Sequence, residues 1–261
     1  MIVWRLTRVA LHLLRGLVTC AVVFPRVPAA ARQAHVRRWS GQLLSICKLR
    51  FEVVDAGGAV STTGTTGTTG TGFGSQRALV VSNHVSWLDI FVINAMQPCR
   101  FVAKSEIRDW PLLGYLCAQA GTIFISRGSR RDVRKTFKNL VTSIAAGERV
   151  AFFPEGTTAP QGTLLPFHAN LFEAAIDAHV PIQPLALRYV DAAGALYAGV
   201  DYIGDTTFGE SLMTILRGPQ VLAQIIVLPL IATEGSHRRE LAVATHDRIA
   251  AALGYAVELG A

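Results

Sequence analysis

From residue 83 onward, short apolar β-rich runs alternate with segments of helical period, and this alternation limits the possible folds more than any other feature of the chain. Arg100 to Ala103, Thr122 to Ile125, Arg149 to Phe153, Pro181 to Arg188 and Val221 to Leu228 predict strands, joined upstream by Leu49 to Val54 and Ala78 to Val81. Ser86 to Met96, Arg130 to Ala146, Leu171 to His179 and Arg238 to Leu253 predict helices. Such a succession predicts an α/β fold, a mixed sheet flanked by helices, whose chemistry gathers where strands exit into loops. The 261 residues suffice for one such domain, spanning 49–261, plus a short N-terminal appendage.

Between the first two strands runs DAGGAVSTTGTTGTTGTGFGSQR, a low-complexity stretch that cannot bury apolar surface. It predicts a flexible loop over 55–77.

Residues 1–48 carry a different signature. Residues 1–50 hold nine Arg or Lys and no Asp or Glu, so the net charge of +7 resides there while the remainder is nearly balanced. Basic residues neither spread over a reading face nor interleave with aromatics, which argues against nucleic acid. Hydrophobic residues at 51% and charged residues at 16% point instead to lipid contact. Arg5, Arg8, His12 and Arg15 share one face of a helix, with Leu13, Leu14, Leu17 and Val18 nearer the other. Only Gly16 to Phe24 lacks ionisable groups, too short a run to span a bilayer, so an interfacial helix is expected. A second amphipathic helix follows over Arg32 to Cys47, and the pair predicts a membrane-associating hairpin. A cleaved secretory signal ending near Pro28-Ala29-Ala30-Ala31 is the rival reading, weakened by Arg15 inside its apolar core.

Cys20, Cys47, Cys99 and Cys117 are widely spaced and form no CxxC pair, which predicts neither a disulfide framework nor a zinc site.

The strongest chemical signal is Asn83-His84-Val85-Ser86-Trp87-Leu88-Asp89, directly after the apolar run ALVV. On one continuous helix, residues five apart fall on different faces, so His84 and Asp89 meet only if His84 lies on the turn before the helix. There Asp89 can hold one imidazole nitrogen while the other serves as a general base toward a substrate hydroxyl. Ser86-x-x-Asp89 before an apolar run is equally the pattern of a helix capping box. Two further strand exits carry polar residues. Arg127 follows TIFIS, as a phosphate clamp or a solvated surface cation, and Glu155-Gly156-Thr157-Thr158 follows AFFP, as a site or an ordinary Pro-x-Gly turn.

These segments resemble the glycerolipid acyltransferase family that includes lysophosphatidic acid acyltransferases. NHVSWLD is similar to its first motif, FISRG to its second, FPEGTT to its third and VPIQP to its fourth, in the family's order over roughly residues 78–190. The resemblance implies that His84 is the base, Asp89 its partner, and Arg127, Glu155, Gly156, Thr157 and Thr158 acceptor-site residues. Lys104 stands where the family usually has a Lys. It further implies an acyl-CoA or acyl-carrier-protein donor, no cofactor and no metal, and a peripheral or monotopic place on the inner membrane with the site facing the cytosol. Thr158 and His168 stand where many phosphate-acceptor members carry Arg and Lys. The acceptors to weigh are therefore lysophosphatidic acid and, second, a lyso-ornithine lipid or other lysophospholipid.

A hydrolase would need its own nucleophile, and the chain has no G-x-S-x-G elbow. A non-catalytic lipid-binding protein would keep the N-terminus and core without needing His84.

Overall fold

The computed structural model describes residues 2–55, 60–64, 77–125 and 130–256. Eight strands form one mixed sheet: β1 (Leu49–Asp55), β2 (Val60–Gly64), β3 (Leu79–Ser82), β4 (Arg100–Lys104), β5 (Ile123–Ile125), β6 (Val150–Phe152), β7 (Ile182–Val190) and β8 (Val221–Val227). Their order across the sheet is β2-β1-β8-β7-β3-β6-β4-β5. β7, β3, β6, β4 and β5 run parallel, β8 is antiparallel to β7, β1 is parallel to β8, and β2 is an antiparallel edge.

The helices are α1 (Ile2–Val18), α2 (Ala29–Ile46), α3 (Leu88–Met96), α4 (Leu113–Gln119), α5 (Arg130–Ala145), α6 (Glu173–Asp177), α7 (Phe208–Arg217) and α8 (Arg238–Leu253). Alternation along β3 feeds both layers. Val80 packs into a core shared with Leu44, Val92, Ile93 and Leu216, while Leu79 and Val81 pack into one with Leu140, Ile144 and Phe172. Because neither face of the central strands meets water, they read as continuous apolar runs, and β3 is buried along its whole length.

Two expectations are corrected. Val60–Gly64 falls inside the segment read as a flexible loop, yet it pairs with β1, with Glu52 opposite Thr63 and Val53 opposite Thr62. An edge strand is held by backbone hydrogen bonds on one side and needs no apolar alternation, and β-branched Thr suits an extended backbone. The remainder of that stretch, 56–59 and 65–76, lies outside the described residues.

The second correction concerns the N-terminal helix. Through a π-helical turn (Thr19–Val23) and a 3-10 turn (Phe24–Arg26), α1 continues as one helix over Ile2–Arg26, long and apolar enough by length and composition to cross a membrane. The basic face of this helix is not wholly solvated. His12 is buried and its ring stacks on Trp39 at 4.4 Å, while Arg5 donates to the Leu216 carbonyl oxygen. Val3, Trp4, Leu11, Leu14, Val18 and Val22 point outward. The helix thus presents its apolar side away from the body.

Candidate active site

Since β3 and β6 are parallel neighbours, with Leu79 opposite Val150 and Val81 opposite Phe152, their exit loops leave the same edge side by side. The β3 exit carries Asn83 and His84 and the β6 exit carries Phe153 and Glu155. Asn83 extends the strand by its side chain: its Nδ2 donates to the Leu187 carbonyl at 2.9 Å and its Oδ1 accepts the Leu187 N–H at 2.8 Å. This clasp ties the turn to β7.

His84 lies on that turn and Asp89 in the first turn of α3, and the two meet with His84 Nδ1 2.7 Å from Asp89 Oδ2. Oδ2 also accepts the backbone N–H groups of Val85 at 2.7 Å and Ser86 at 3.0 Å. A carboxylate oxygen in this place accepts from Nδ1–H, so in the neutral ring Nδ1 carries the proton and Nε2 the lone pair. No hydrogen bond to Nε2 occurs among the described residues, and the imidazole is 18% exposed while Asp89 is fully buried. The capping and pairing roles therefore coexist in Asp89. Its carboxylate takes the Ser86 N–H as a capping-box residue would, but the Ser86 hydroxyl makes no reciprocal bond.

The imidazole lies flat on Phe153, ring centres 3.9 Å apart at 7°, and Phe153 in turn stacks on Phe101 at 5.7 Å. An aromatic face against the ring favours a cationic imidazole when a proton arrives.

Glu155 is held by backbone donors on both sides. It is 4% exposed, and its two oxygens accept the N–H groups of His84 at 2.7 Å and Leu165 at 3.0 Å. Burial pushes its carboxyl from the ordinary 4.5 up to about 7, a rise that the two backbone donors restrain. With both oxygens turned to backbone amides, Glu155 fastens the His84 turn to the 165 loop. Thr158 is similarly committed, since its half-buried hydroxyl donates to the Tyr202 carbonyl oxygen. Gly156 and Thr157 are exposed at the same edge. Gly156 adopts φ +71°, and a Cβ there would meet His168 Cδ2 at 3.3 Å, so the exposed His168 ring lies beside this turn. Lys104 ends β4 at the same edge, two strands from β3 and exposed, with no hydrogen bond to the dyad among the described residues. Arg127 lies outside the described residues. Among the described residues no group of three or more His, Cys, Asp or Glu is placed to hold a metal ion.

Sequence reasoning missed Tyr189. Fully buried on β7, its hydroxyl donates to Asp89 Oδ1 at 2.6 Å. The one local signal was a tyrosine near the end of a strand that is mostly apolar. It also missed the clasp of Asn83, which sits in the quoted motif but whose partner lies 104 residues away.

With this geometry established, similarity to known proteins can be placed on it. The family model described as Acyltransferase matches residues 62–188. A lyso-ornithine lipid O-acyltransferase from Pseudomonas aeruginosa is 36% identical over 242 residues, covering 91% of this chain and 87% of the relative. A 1-acyl-sn-glycerol-3-phosphate acyltransferase from Neisseria gonorrhoeae is 47% identical over 124 residues, covering 48% of this chain and 49% of the relative. The match therefore spans about half the length of the Neisseria protein. The crystal structure of the 1-acyl-sn-glycerophosphate acyltransferase from Thermotoga maritima shares the fold at a TM-score of 0.62 and 18% identity, covering 96% of both chains. By its near-full-length similarity to the Pseudomonas protein, this chain belongs to the acyltransferase family.

Proposed function

We propose that the chain is an O-acyltransferase that moves a fatty acyl group from acyl-CoA or acyl-carrier protein to the free hydroxyl of lysophosphatidic acid, forming phosphatidic acid. The observation that carries this reading is the His84–Asp89 pair at 2.7 Å on the edge where β3 ends, with the imidazole partly open and its Nε2 not taken by any hydrogen bond among the described residues. Nε2 takes the proton of the acceptor hydroxyl as its oxygen attacks the thioester carbonyl. The tetrahedral adduct collapses with loss of thiolate, which receives the proton from the imidazolium. Asp89 stabilises that transient cation, and no metal or cofactor takes part.

The outward apolar side of α1 and the basic N-terminus support seating on anionic lipid; a peripheral or monotopic place on the inner membrane, with the site on the cytosolic side, completes the proposed reading. A second acceptor, a lyso-ornithine lipid, is favoured by one observation: the relative matched over 87% of its length acts, by its name, on that class. The lack of Arg and Lys at Thr158 and His168 agrees with it.

The test is transfer from labelled acyl-CoA and acyl-carrier protein to both lysolipids by the detergent-solubilised full chain. Labelled phosphatidic acid is expected. Release of free fatty acid alone, or no turnover with either donor, overturns the acyltransferase reading, and preference for the lyso-ornithine lipid overturns the choice of acceptor.

A further inference from the structure

Asp89 meets a fourth donor that the His–Asp reading does not use. Its Oδ2 serves His84, Val85 and Ser86, while its Oδ1 receives the hydroxyl of Tyr189 at 2.6 Å, from β7 in the core that α3 shares. Tyr189 and Asp89 are both fully buried, so no water competes for either group. The Tyr189 backbone is held as well: its N–H donates to Gln161 Oε1 at 2.6 Å, and Gln161 Nε2 donates to the Tyr197 carbonyl at 3.0 Å.

We propose that Tyr189 is a positioning residue for the reaction, whose phenol shares the charge of Asp89 and thereby sets how firmly His84 holds a proton. The inference rests on the acyl-transfer reading above. A carboxylate oxygen that accepts a short O–H bond gives up part of its negative charge to the donor, and less of it then falls on the imidazole. A base that must be neutral to accept a substrate proton is thereby kept neutral over a wider range of pH. Burial first, and then the charge and hydrogen bond of Asp89, hold the phenol well above its ordinary range, so it remains a donor at any working pH. Among the described residues, four titratable groups bear on His84 or on one another around it. Asp89 comes from α3, Tyr189 from β7, Glu155 from the loop after β6, and Asp201 follows the 3-10 turn Ala198–Val200 and acts on Asp89 through charge alone. Glu155 touches the His84 backbone and not its ring.

A purely structural Tyr189 would hold β7 against α3 through its ring, and the phenol oxygen would be incidental. Tyr189→Phe keeps the ring and removes the O–H. Its expected effect is a roughly tenfold fall in kcat/KM near neutral pH, with the acid limb of the pH profile moved about one unit upward and the rate recovering toward alkaline pH. Site-specific replacement of Tyr189 by 3-fluorotyrosine, a stronger donor of nearly the same shape, should move the limb the opposite way. It also keeps the test alive if Tyr189→Phe folds poorly. Opposed shifts support the proposal, and a limb that stays put in the fluorotyrosine protein overturns it. Wild-type transfer measured in the same assay keeps the acyltransferase reading separate: absence of wild-type transfer would condemn that reading, whereas active protein with unmoved limbs condemns only the role of Tyr189.

Discussion

His12 and Trp39 exchange hydrogen bonds across the N-terminal hairpin, the indole Nε1 donating to the His12 carbonyl at 3.1 Å and the imidazole Nε2 to the Trp39 carbonyl at 3.0 Å. A carbonyl oxygen only accepts, so His12 must carry its proton on Nε2. Trp39 continues to Phe91 at 5.8 Å, Phe91 to Trp87 at 5.8 Å, and Trp87 belongs to the turn that carries His84. The hairpin is thus keyed to the helix that supplies Asp89. A Cβ on Gly16 would lie 2.8 Å from Trp39 Nε1. Gly16→Val is therefore expected to displace the indole and cost about 1 to 3 kcal/mol, seen as a lowered midpoint in thermal or urea unfolding.

The outward side of α1 is expected to bind bilayers without contributing to the core. Changing Leu11, Leu14, Val18 and Val22 together to Ser should leave the unfolding midpoint nearly unaltered, because all four are at least half exposed. Association with anionic vesicles should fall by more than tenfold, since each apolar side chain that leaves lipid forfeits on the order of 1 kcal/mol or more. Unaltered co-sedimentation would assign binding to the body.

His84→Ala should fold and lose about 10²-fold to 10⁴-fold of its transfer rate. Asp89→Asn should lose both rate and stability. Four donors converge on the two oxygens of Asp89, and an amide nitrogen can accept none of them, so at least one donor is left facing another. Circular dichroism and urea unfolding alongside turnover separate the two losses. Full activity in folded His84→Ala sinks the mechanism.

Glu155 predicts a pH-dependent stability of definite sign. Its folded value of about 7 lies above the ordinary 4.5, so the folded state favours the protonated carboxyl. This contribution is complete below about pH 4.5 and is lost as pH rises through about 7. Glu155→Gln should flatten that segment of the stability profile, measured by urea unfolding at intervals between these values. It should also lower stability throughout, because one amide N–H would confront the N–H of His84 or Leu165.

The acceptor question can be approached through His168, which is exposed and lies beside Gly156. His168→Lys adds a permanent cation at the edge and should lower the KM for lysophosphatidic acid about threefold, with little change for a zwitterionic lyso-ornithine lipid. Thr158→Arg is the less clean variant, because it also removes the hydroxyl tie to Tyr202.

What could be read from the sequence was whatever depended on neighbours along the chain. The strands from 83 onward and the helices α3, α5, α6 and α8 followed from apolar periodicity, and the five-residue gap between His84 and Asp89 required a turn that the structure supplies. Nothing in FPEGTT shows that the oxygens of Glu155 are taken by amides at residues 84 and 165. Tyr189 reaches Asp89 across a separation of 100 residues, beyond any local pattern. β2 went unread because its Thr and Gly carry no apolar alternation. α7 was overlooked although Thr207 and Glu210, which form its capping box, stand in the sequence at the required spacing.

The clasp of Asn83 on Leu187 has a mechanical meaning. Within three consecutive residues the turn is pinned to separate segments: Asn83 to β7, the His84 N–H to Glu155, the His84 carbonyl to the Ala159 N–H at 2.8 Å, and the Val85 carbonyl to the Tyr202 N–H at 3.1 Å. A segment anchored at every residue has no soft coordinate along which to swing, so the imidazole is delivered by the rigid lattice of the sheet and not by a hinge of its own. Whatever yields when a lipid enters and a product leaves must lie elsewhere along the rim, and amide exchange at His84 and Val85 should be among the slowest in the protein.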